Sequence, residues 1–295
     1  MFAVVAPGIE DHRVRCFLRY TKTAQGWQKL NTEQANNHLQ QYHPQYVYHS
    51  PTLDAAIHGV HIDSIHRHHQ PKQRLQELLQ NHPQDTVEQD SLHLIELFKQ
   101  RGITSQNLGV TGSLLIGAQK HSSDIDLVCY DKPTFQHCRQ QIKHLLEHHL
   151  LQHLTETDWQ EAYDRRGCAL SFEEYVWHEQ RKYNKAIINS RKFDISLFNA
   201  QQVTDNTHYQ KCGEIRLQCL VLDDSKAFDY PAEFKIDHPE ITSVVSFTAT
   251  YTGQAQQGER IEVTGLVEQN ESGKKRIVIG SSREAQGEYI KVIQT

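Results

Sequence analysis

With 295 residues and a formal net charge of −5, the chain differs from proteins that coat nucleic acid indiscriminately, because such binding needs many cations facing phosphates. Its six cysteines are scattered and include no CxxC pair, which favours reduced thiols in the cytoplasm over a secreted disulfide framework. The sequence contains neither an export signal nor the roughly 18 consecutive apolar residues of a membrane span, so no membrane is expected as a partner.

The first part of the chain alternates short β-like runs with turn residues. FAVVAP and RVRCFLRY are followed by a Gly26-Trp27 corner, a helical stretch NTEQANNHLQQY and an extended YVYHS. PKQRLQELLQ then places leucines at helical spacing behind a proline, which is a favourable first residue of a helix. These patterns predict a small N-terminal α/β unit over residues 1–86.

Residues 87–232 are predicted to form a second domain. SLHLIELFKQRG is typical of a buried helix that ends at Gly102, and NLGVTG and DIDLVCY predict two strands. Three helices follow in PTFQHCRQQIKHLLEHHLLQHL, ETDWQEAYDRR and SFEEYVWHEQRKYNKAII, and then RKFDISLFN predicts another strand. In the last of these helices, Arg181 and Lys185 are four residues apart and would share one face.

The end of the chain changes character. The runs ITSVVSFTATY, RIEVTGLVEQ, RIVIGSS and EYIKVIQ alternate in polarity and are separated by turn residues. They predict a small antiparallel sheet or barrel over residues 233–295. The fold class expected for the whole chain is therefore α+β, with three domains.

Two aspartates, Asp124 and Asp126, are separated by one residue on a predicted strand, so both carboxylates project from the same face within about 7 Å. The residue between them, Ile125, would turn into the core. Ten residues or so before this pair comes Gly112-Ser113, where a glycine lets the backbone approach a triphosphate and a serine can bind its oxygens. A third carboxylate, Asp194, lies on the later strand and would complete a metal site if that strand lies beside the first.

This pattern resembles the DNA polymerase β superfamily of nucleotidyltransferases. Its parts are a Gly-Ser pair, a spacer, Asp-x-Asp between apolar residues and a distant third Asp. The resemblance implies a core of a mixed sheet with flanking helices. It implies that Gly112 and Ser113 bind nucleotide phosphates, that Asp124 and Asp126 bind two Mg²⁺ ions, and that Asp194 binds the catalytic ion and activates the attacking hydroxyl. Mn²⁺ is an alternative cofactor. Over its length the chain is similar to predicted archaeal and bacterial nucleotidyltransferases with an N-terminal extension and a C-terminal β segment.

Further residues are candidates for nucleotide binding. Lys120 and Ser123 lie in the loop between the Gly-Ser pair and the two aspartates, although a lone loop lysine is more often simply solvated. Arg181 and Lys185 belong to a basic, aromatic-rich stretch that precedes Asp194, and this stretch could equally be an ordinary charged helix surface. Histidine pairs at helical spacing, such as His144 with His148, make zinc a minor alternative. Lys274, Lys275 and Arg276 could contact phosphates or form a solvated hairpin tip.

The sequence thus predicts a Mg²⁺-dependent, nucleotide-binding enzyme that transfers a nucleoside monophosphate from an NTP such as ATP to a hydroxyl and releases pyrophosphate. An RNA 3′ end, as in a transfer RNA, is the favoured acceptor, and a protein side chain or a small molecule is the alternative. A different class of function also remains: a regulatory or toxin–antitoxin module that binds nucleotide and metal without turnover. That class would be favoured if Asp194 faced away from Asp124 and Asp126.

Overall fold

A computed structural model gives the structure of residues 1–50, 55–199, 207–280 and 286–294, without the side chains of residues 5–7. In this part of the chain, seven α-helices and sixteen strands form a mixed α+β fold with several sheets. The α+β class expected from the sequence is confirmed. The described residues of 1–68 together with 207–209 form one compact unit, and those of 69–199 and 210–294 form a second.

The first unit contains two antiparallel sheets and one α-helix. Its elements are β1 Phe2–Glu10, β2 Arg13–Leu18, β3 Tyr20–Thr23, β4 Gly26–Lys29, α1 Thr32–Tyr42, β5 Val47–Ser50 and β6 Ala55–His61. The larger sheet has the order β1-β2-β6-β5, and β3 and β4 form a hairpin. A capping box between Asn31 and Gln34 begins α1, so two otherwise unsatisfied N–H groups have partners. Ala35 and Leu39 of this helix are buried in a small core.

The second unit begins with a four-stranded mixed sheet and its helices. The elements are α2 Pro71–Gln80, α3 Thr86–Lys99, β7 Leu108–Val110, α4 Gly112–Leu115, β8 Ile125–Cys129, α5 Lys132–Glu147, α6 Glu156–Arg166, α7 Phe172–Gln180, β9 Lys185–Ile188 and β10 Arg191–Leu197. The sheet order is β7-β8-β10-β9, in which β8 and β10 run parallel and the other neighbours are antiparallel. One face of this sheet packs into a large apolar core.

Helix α2 belongs to this second unit, although the sequence assigned it to the N-terminal one. The helix packs directly on β7 at Gly109, where a Cβ would lie 2.7 Å from Pro71 Cβ. A glycine in a strand often marks such a close approach of another backbone. The boundary between the two units therefore lies near residue 68 and not near residue 86.

The predicted helix over SFEEYVWHEQRKYNKAII is also wrong in its second half. Helix α7 ends at Gln180, and Lys185–Ile188 forms strand β9. Tyr183 adopts a φ of 49° after the helix, and Asn189 and Ser190, at 48° and 64°, make the tight turn from β9 to β10. Two consecutive positive φ angles are typical of a type I′ hairpin turn. Arg181 and Lys185 consequently do not share a helix face.

The remaining strands form a closed barrel. They are β11 Tyr209–Lys226, β12 Ala232–Ile236, β13 Ile241–Ser246, β14 Arg260–Asn270, β15 Lys275–Ile279 and β16 Tyr289–Val292. The order β11-β12-β13-β15-β14 closes because β11 also pairs with β14, and β16 adds to β14. Of the antiparallel sheet or barrel predicted from residue 233, the structure has the barrel, but its strands β13 and β15 run parallel and it begins earlier, at β11. This strand order is that of five-stranded OB barrels.

Candidate functional site

The Gly-Ser pair lies where β7 passes into the short helix α4. Gly112 has a φ of 62°, and a Cβ there would lie 1.8 Å from the Asp126 Oδ2 atom. The Thr111 N–H donates to the Asp126 carbonyl over 2.9 Å. Glycine is therefore needed both for the backbone conformation and for the approach of the main chain to the Asp126 carboxylate.

Asp126 and Asp194 lie side by side. Strands β8 and β10 are parallel and in a register that pairs Asp126 with Asp194, so their Cα atoms are about 4.8 Å apart and their side chains share a face. Ile125 and Leu127 are fully buried on the opposite face, as the alternation predicted. The same register places Asp124, just before β8, beside Lys192 on β10. We call this side of the sheet the carboxylate face.

Burial raises the pKa of the Asp194 carboxyl group above its ordinary value. Lys185 and Arg166 oppose this effect with their positive charges, whereas the negative charge of Asp124 adds to it. Lys185 is the antiparallel partner of Asp194 on β9, which puts this cation next to the carboxylate. The negative charge of Asp124 therefore opposes ionisation of Asp194, and the positive charges of Lys185 and Arg166 favour it.

As placed, the side chains do not form a closed metal cage. Among the residues that the structure describes, no group of three or more His, Cys, Asp or Glu side chains could hold a metal ion. Asp124, Asp126 and Asp194 nevertheless occupy adjacent positions on one face, so convergence on an ion requires rotation of side chains and no change of strand register. Carboxylate oxygens are the ligands that Mg²⁺ prefers.

Lys185 is held by a buried ion network. Its Nζ atom and that of Lys182 both donate to the Glu179 carboxylate, and Lys182 Nζ also donates to the Thr250 carbonyl over 2.9 Å. The two lysines keep the pKa of Glu179 far below its usual range, while burial lowers the pKa of Lys182 to about 8. Lys185, predicted to bind nucleotide, thus lies at the site with its ammonium group already positioned.

Arg181, the other basic candidate of this stretch, lies elsewhere. Its guanidinium group pairs with Glu259 at 2.5 Å and lies 4.4 Å from the ring centroid of Trp177. Glu259 immediately precedes strand β14 of the barrel. The contacts of Arg181 therefore connect α7 with the barrel, and the structure does not bring Arg181 together with Lys185 and the aspartates.

The loop between the Gly-Ser pair and the aspartates is anchored by Arg191. This buried arginine donates to the carbonyls of His121 and Ser123, over 2.7 Å each, and pairs with Asp90 at 2.7 Å. Ser123 Oγ accepts from the Lys120 N–H over 2.9 Å, which closes a tight turn in which the Lys120 side chain is exposed. The Ser123 hydroxyl, predicted to bind nucleotide, therefore makes a hydrogen bond within its own loop.

Sequence reasoning missed the residues that support the Gly-Ser turn. Arg74 of α2 donates to the Leu114 carbonyl over 3.1 Å and to the buried Glu88 carboxylate over 2.7 Å. These contacts satisfy a carbonyl near the end of α4, which is too short to satisfy its own termini. In the sequence, Arg74 and Glu88 are charged residues in two amphipathic helices. Such residues are usually solvated, so nothing in the sequence indicates this contact.

Several histidines have structural roles. His178 is buried, with Nδ1 donating to the Glu174 carbonyl over 2.6 Å and Nε2 accepting from the Val292 N–H over 3.0 Å. Burial lowers its pKa to about 4, and the neutral ring keeps Nε2 able to accept from the Val292 N–H. The rings of His144 and His148 stack at 4.0 Å.

The basic residues of the barrel are largely paired with acids. Lys275 lies 2.6 Å from Glu240, and Arg276 lies 3.0 Å from Glu268. Paired cations contribute less to phosphate binding, because an acidic partner already compensates their charge. The hairpin at residues 274–276 therefore gives little support to a nucleic-acid surface.

Comparison with known proteins shows the family of the chain. No family model matches the chain, and no solved structure matches it. No helix in the described ranges has the length and apolar character needed to cross a membrane. The chain is 33% identical over 311 residues to the uncharacterized protein MJ1086 of Methanocaldococcus jannaschii, and the match covers 96% of this chain and 86% of that protein. The chain therefore belongs to the same family as the uncharacterized protein MJ1086.

Proposed function

We propose that this protein is a Mg²⁺-dependent nucleotidyltransferase with a polymerase β-like core, which transfers a nucleoside monophosphate from an NTP to a hydroxyl and releases pyrophosphate. The observation that carries the proposal is the register of β8 and β10, which pairs Asp126 with Asp194 on one face. Asp124 lies on the same face, and Gly112 contacts Asp126 directly. Four residues from three separate segments thus meet at one place.

The residues that would hold the ions are Asp124, Asp126 and Asp194, which offer carboxylate oxygens on a rigid sheet. Bound Mg²⁺ supplies charge stabilisation for the attacking and leaving oxygens of phosphoryl transfer. Lys185, which is held by Glu179, lies beside Asp194, and the absence of a Cβ at Gly112 lets the Gly112-Ser113 turn lie against the Asp126 carboxylate.

The Asp194 carboxylate is the group that would accept the proton of the attacking hydroxyl. Its raised pKa, caused by burial, brings its basicity closer to that needed at neutral pH. A regulatory module without turnover would be favoured if Asp194 faced away from the other two carboxylates. Its shared face with Asp126 supports the enzyme instead.

The test uses each NTP labelled at the α-phosphate, with Mg²⁺, total RNA and a small-molecule extract. We expect label transfer and pyrophosphate release that fall at least about 100-fold in Asp126→Asn and Asp194→Asn, since each removes charge stabilisation at the reacting centre. Asp164→Asn, an exposed position on α6, serves as the matched control. Equal turnover in all four proteins with every NTP would refute the proposal.

A further inference from the structure

An open groove of about 740 Å³ lies beside Asp124 on the carboxylate face. The strand pairing shows how the groove meets the site. Lys192 and Ile187, which line the groove together with Asp124, are cross-strand partners, and Asp126, Asp194 and Lys185 form a neighbouring cross-strand row. A molecule in the groove is therefore one row of side chains away from the Asp194 carboxylate.

The positive charges that line the groove are neutralised by the protein itself. Lys192 Nζ lies 3.1 Å from Asp158 Oδ1, and Arg191 Nε lies 2.7 Å from Asp90 Oδ2. Arg191 also donates to two loop carbonyls. A phosphate-rich ligand needs cations with free donors, and these two lining cations are committed to carboxylates.

The rest of the lining is mostly polar. Apart from Asp124, the apolar Ile187, and Asp90 and Asp158, which pair with the two cations, it consists of hydroxyl, amide and imidazole side chains. The side chains of Ser122, Ser190, Gln89 and Gln152 line the groove, and within the described chain they make no hydrogen bond. Asp124, whose charge would be balanced by a bound cation, also lines the groove. The groove therefore presents hydroxyl and amide groups, each able to donate and accept, in a volume typical of small-molecule sites.

The donor nucleotide has a separate place. Gly112 and Ser113, proposed to bind its phosphates, are not among the residues described as lining the groove. They approach the carboxylate face beside Asp126, through the contact of Gly112 with its carboxylate. The groove beside Asp124 is thus left for the second substrate.

We propose that this groove binds the acceptor, and that the acceptor is a neutral, polyhydroxylated small molecule of about the size of a monosaccharide or a nucleoside. This inference rests on the proposed function. The acceptor hydroxyl oxygen forms a bond to the α-phosphorus of the NTP as the bond from that phosphorus to the bridging oxygen breaks. The electron pair leaves with pyrophosphate, and the hydroxyl proton passes to Asp194 and then to water.

The experiment compares acceptors that differ only in a phosphate group. Full-length protein is given α-labelled NTP and Mg²⁺ with adenosine or AMP, with inositol or inositol phosphate, and with an RNA oligonucleotide that has a free terminal hydroxyl. We expect kcat/KM to be about tenfold higher for the neutral member of each pair, because no uncompensated cation meets the added charge.

Two charge variants locate this preference. Gln152→Arg adds a cation to the groove and should shift the preference about tenfold towards the phosphorylated members. Gln140→Arg adds the same charge to an exposed position on α5 that does not line the groove, and it should leave the preference unchanged. Equal behaviour of these two variants would overturn the assignment of the groove.

Binding of the donor nucleotide is measured separately, by calorimetry with NTP and Mg²⁺. If NTP binds and RNA or the phosphorylated compounds are labelled in preference, the acceptor inference is wrong while the proposed function stands. If NTP binds and no acceptor of any kind is labelled, both are wrong. If wild-type protein does not bind any NTP, both fail. If a neutral acceptor is labelled, and if Gln152→Arg but not Gln140→Arg changes the preference between neutral and phosphorylated acceptors, both the proposed function and the acceptor inference are supported.

Discussion

Replacing Gly112 by alanine should weaken divalent-cation binding at the carboxylate face. The added Cβ would lie 1.8 Å from Asp126 Oδ2 and 2.9 Å from its Cγ, so the carboxylate must leave its present position. The φ of 62° at Gly112 adds a backbone cost of about 1–2 kcal/mol for a residue with a Cβ. Two effects are thus expected, a loss of stability and a displaced ligand.

Gly117→Ala separates the two effects. Gly117 has a φ of 65°, but in the described part of the chain no atom other than those of Gly117 and its two neighbours in sequence lies within 4 Å of the position that its Cβ would take. Both variants should therefore lose about 1–2 kcal/mol of unfolding free energy in urea titrations. Only Gly112→Ala should lose Mn²⁺ affinity, measured by electron paramagnetic resonance without nucleotide, and by about 10- to 100-fold. Equal Mn²⁺ affinity in the two variants would show that Asp126 does not bind the ion.

Three further changes test the supports of the site. Arg191→Met should cost about 3–5 kcal/mol of unfolding free energy, because it leaves the buried Asp90 carboxylate unpaired, and should speed amide exchange in residues 119–124. The exposed Arg216→Met should cost less than about 1 kcal/mol, and similar costs would contradict this ranking. The pKa of His178 is lowered to about 4 from 6.5, so the unfolded state binds more protons between these values and stability falls as pH decreases through this window, by up to about 3 kcal/mol. Denaturation of His178→Gln should show a flatter pH profile. Glu179→Gln leaves two lysines without their carboxylate and should cost about 3–5 kcal/mol, whereas adding Lys182→Met should recover part of this cost in a double-mutant cycle.

The parts of the site that depend on local pattern could be predicted from the sequence. Alternation in DIDLVCY placed Ile125 and Leu127 in the core and Asp126 on the opposite face, because the period of a strand is two. A close approach of another group to the backbone at Gly112 followed from the properties of glycine; the sequence pointed to a triphosphate, and the group that lies there in the structure is the Asp126 carboxylate. The position of Asp194 could be predicted only in part. Its strand follows from the local sequence pattern, but the register of that strand with β8 depends on pairing between distant segments.

The supports of the site could not be predicted in the same way. Arg191 was one of several basic residues in a charged stretch, and nothing near it in the sequence indicates that Asp90 and the carbonyls of His121 and Ser123 would surround it. Lys185 was placed on a helix with Arg181 because a run of charged and apolar residues also fits helical spacing. The turn at Asn189-Ser190, with two positive φ angles on non-glycine residues, gave little signal against that prediction.

The pairing of the barrel strands also could not be predicted from local sequence patterns, and the barrel forms one unit with the carboxylate face. Alternating runs indicate strands, but they do not say that β11 closes on β14 or that β13 runs parallel to β15. In the structure, Glu179 binds Lys185 beside Asp194 and also Lys182, whose ammonium group donates to the Thr250 carbonyl of the barrel. A fragment that ends at residue 232 would lose that carbonyl and leave Lys182 buried with one partner fewer. The barrel is therefore part of the support of the carboxylate face, which explains why the two form one compact unit.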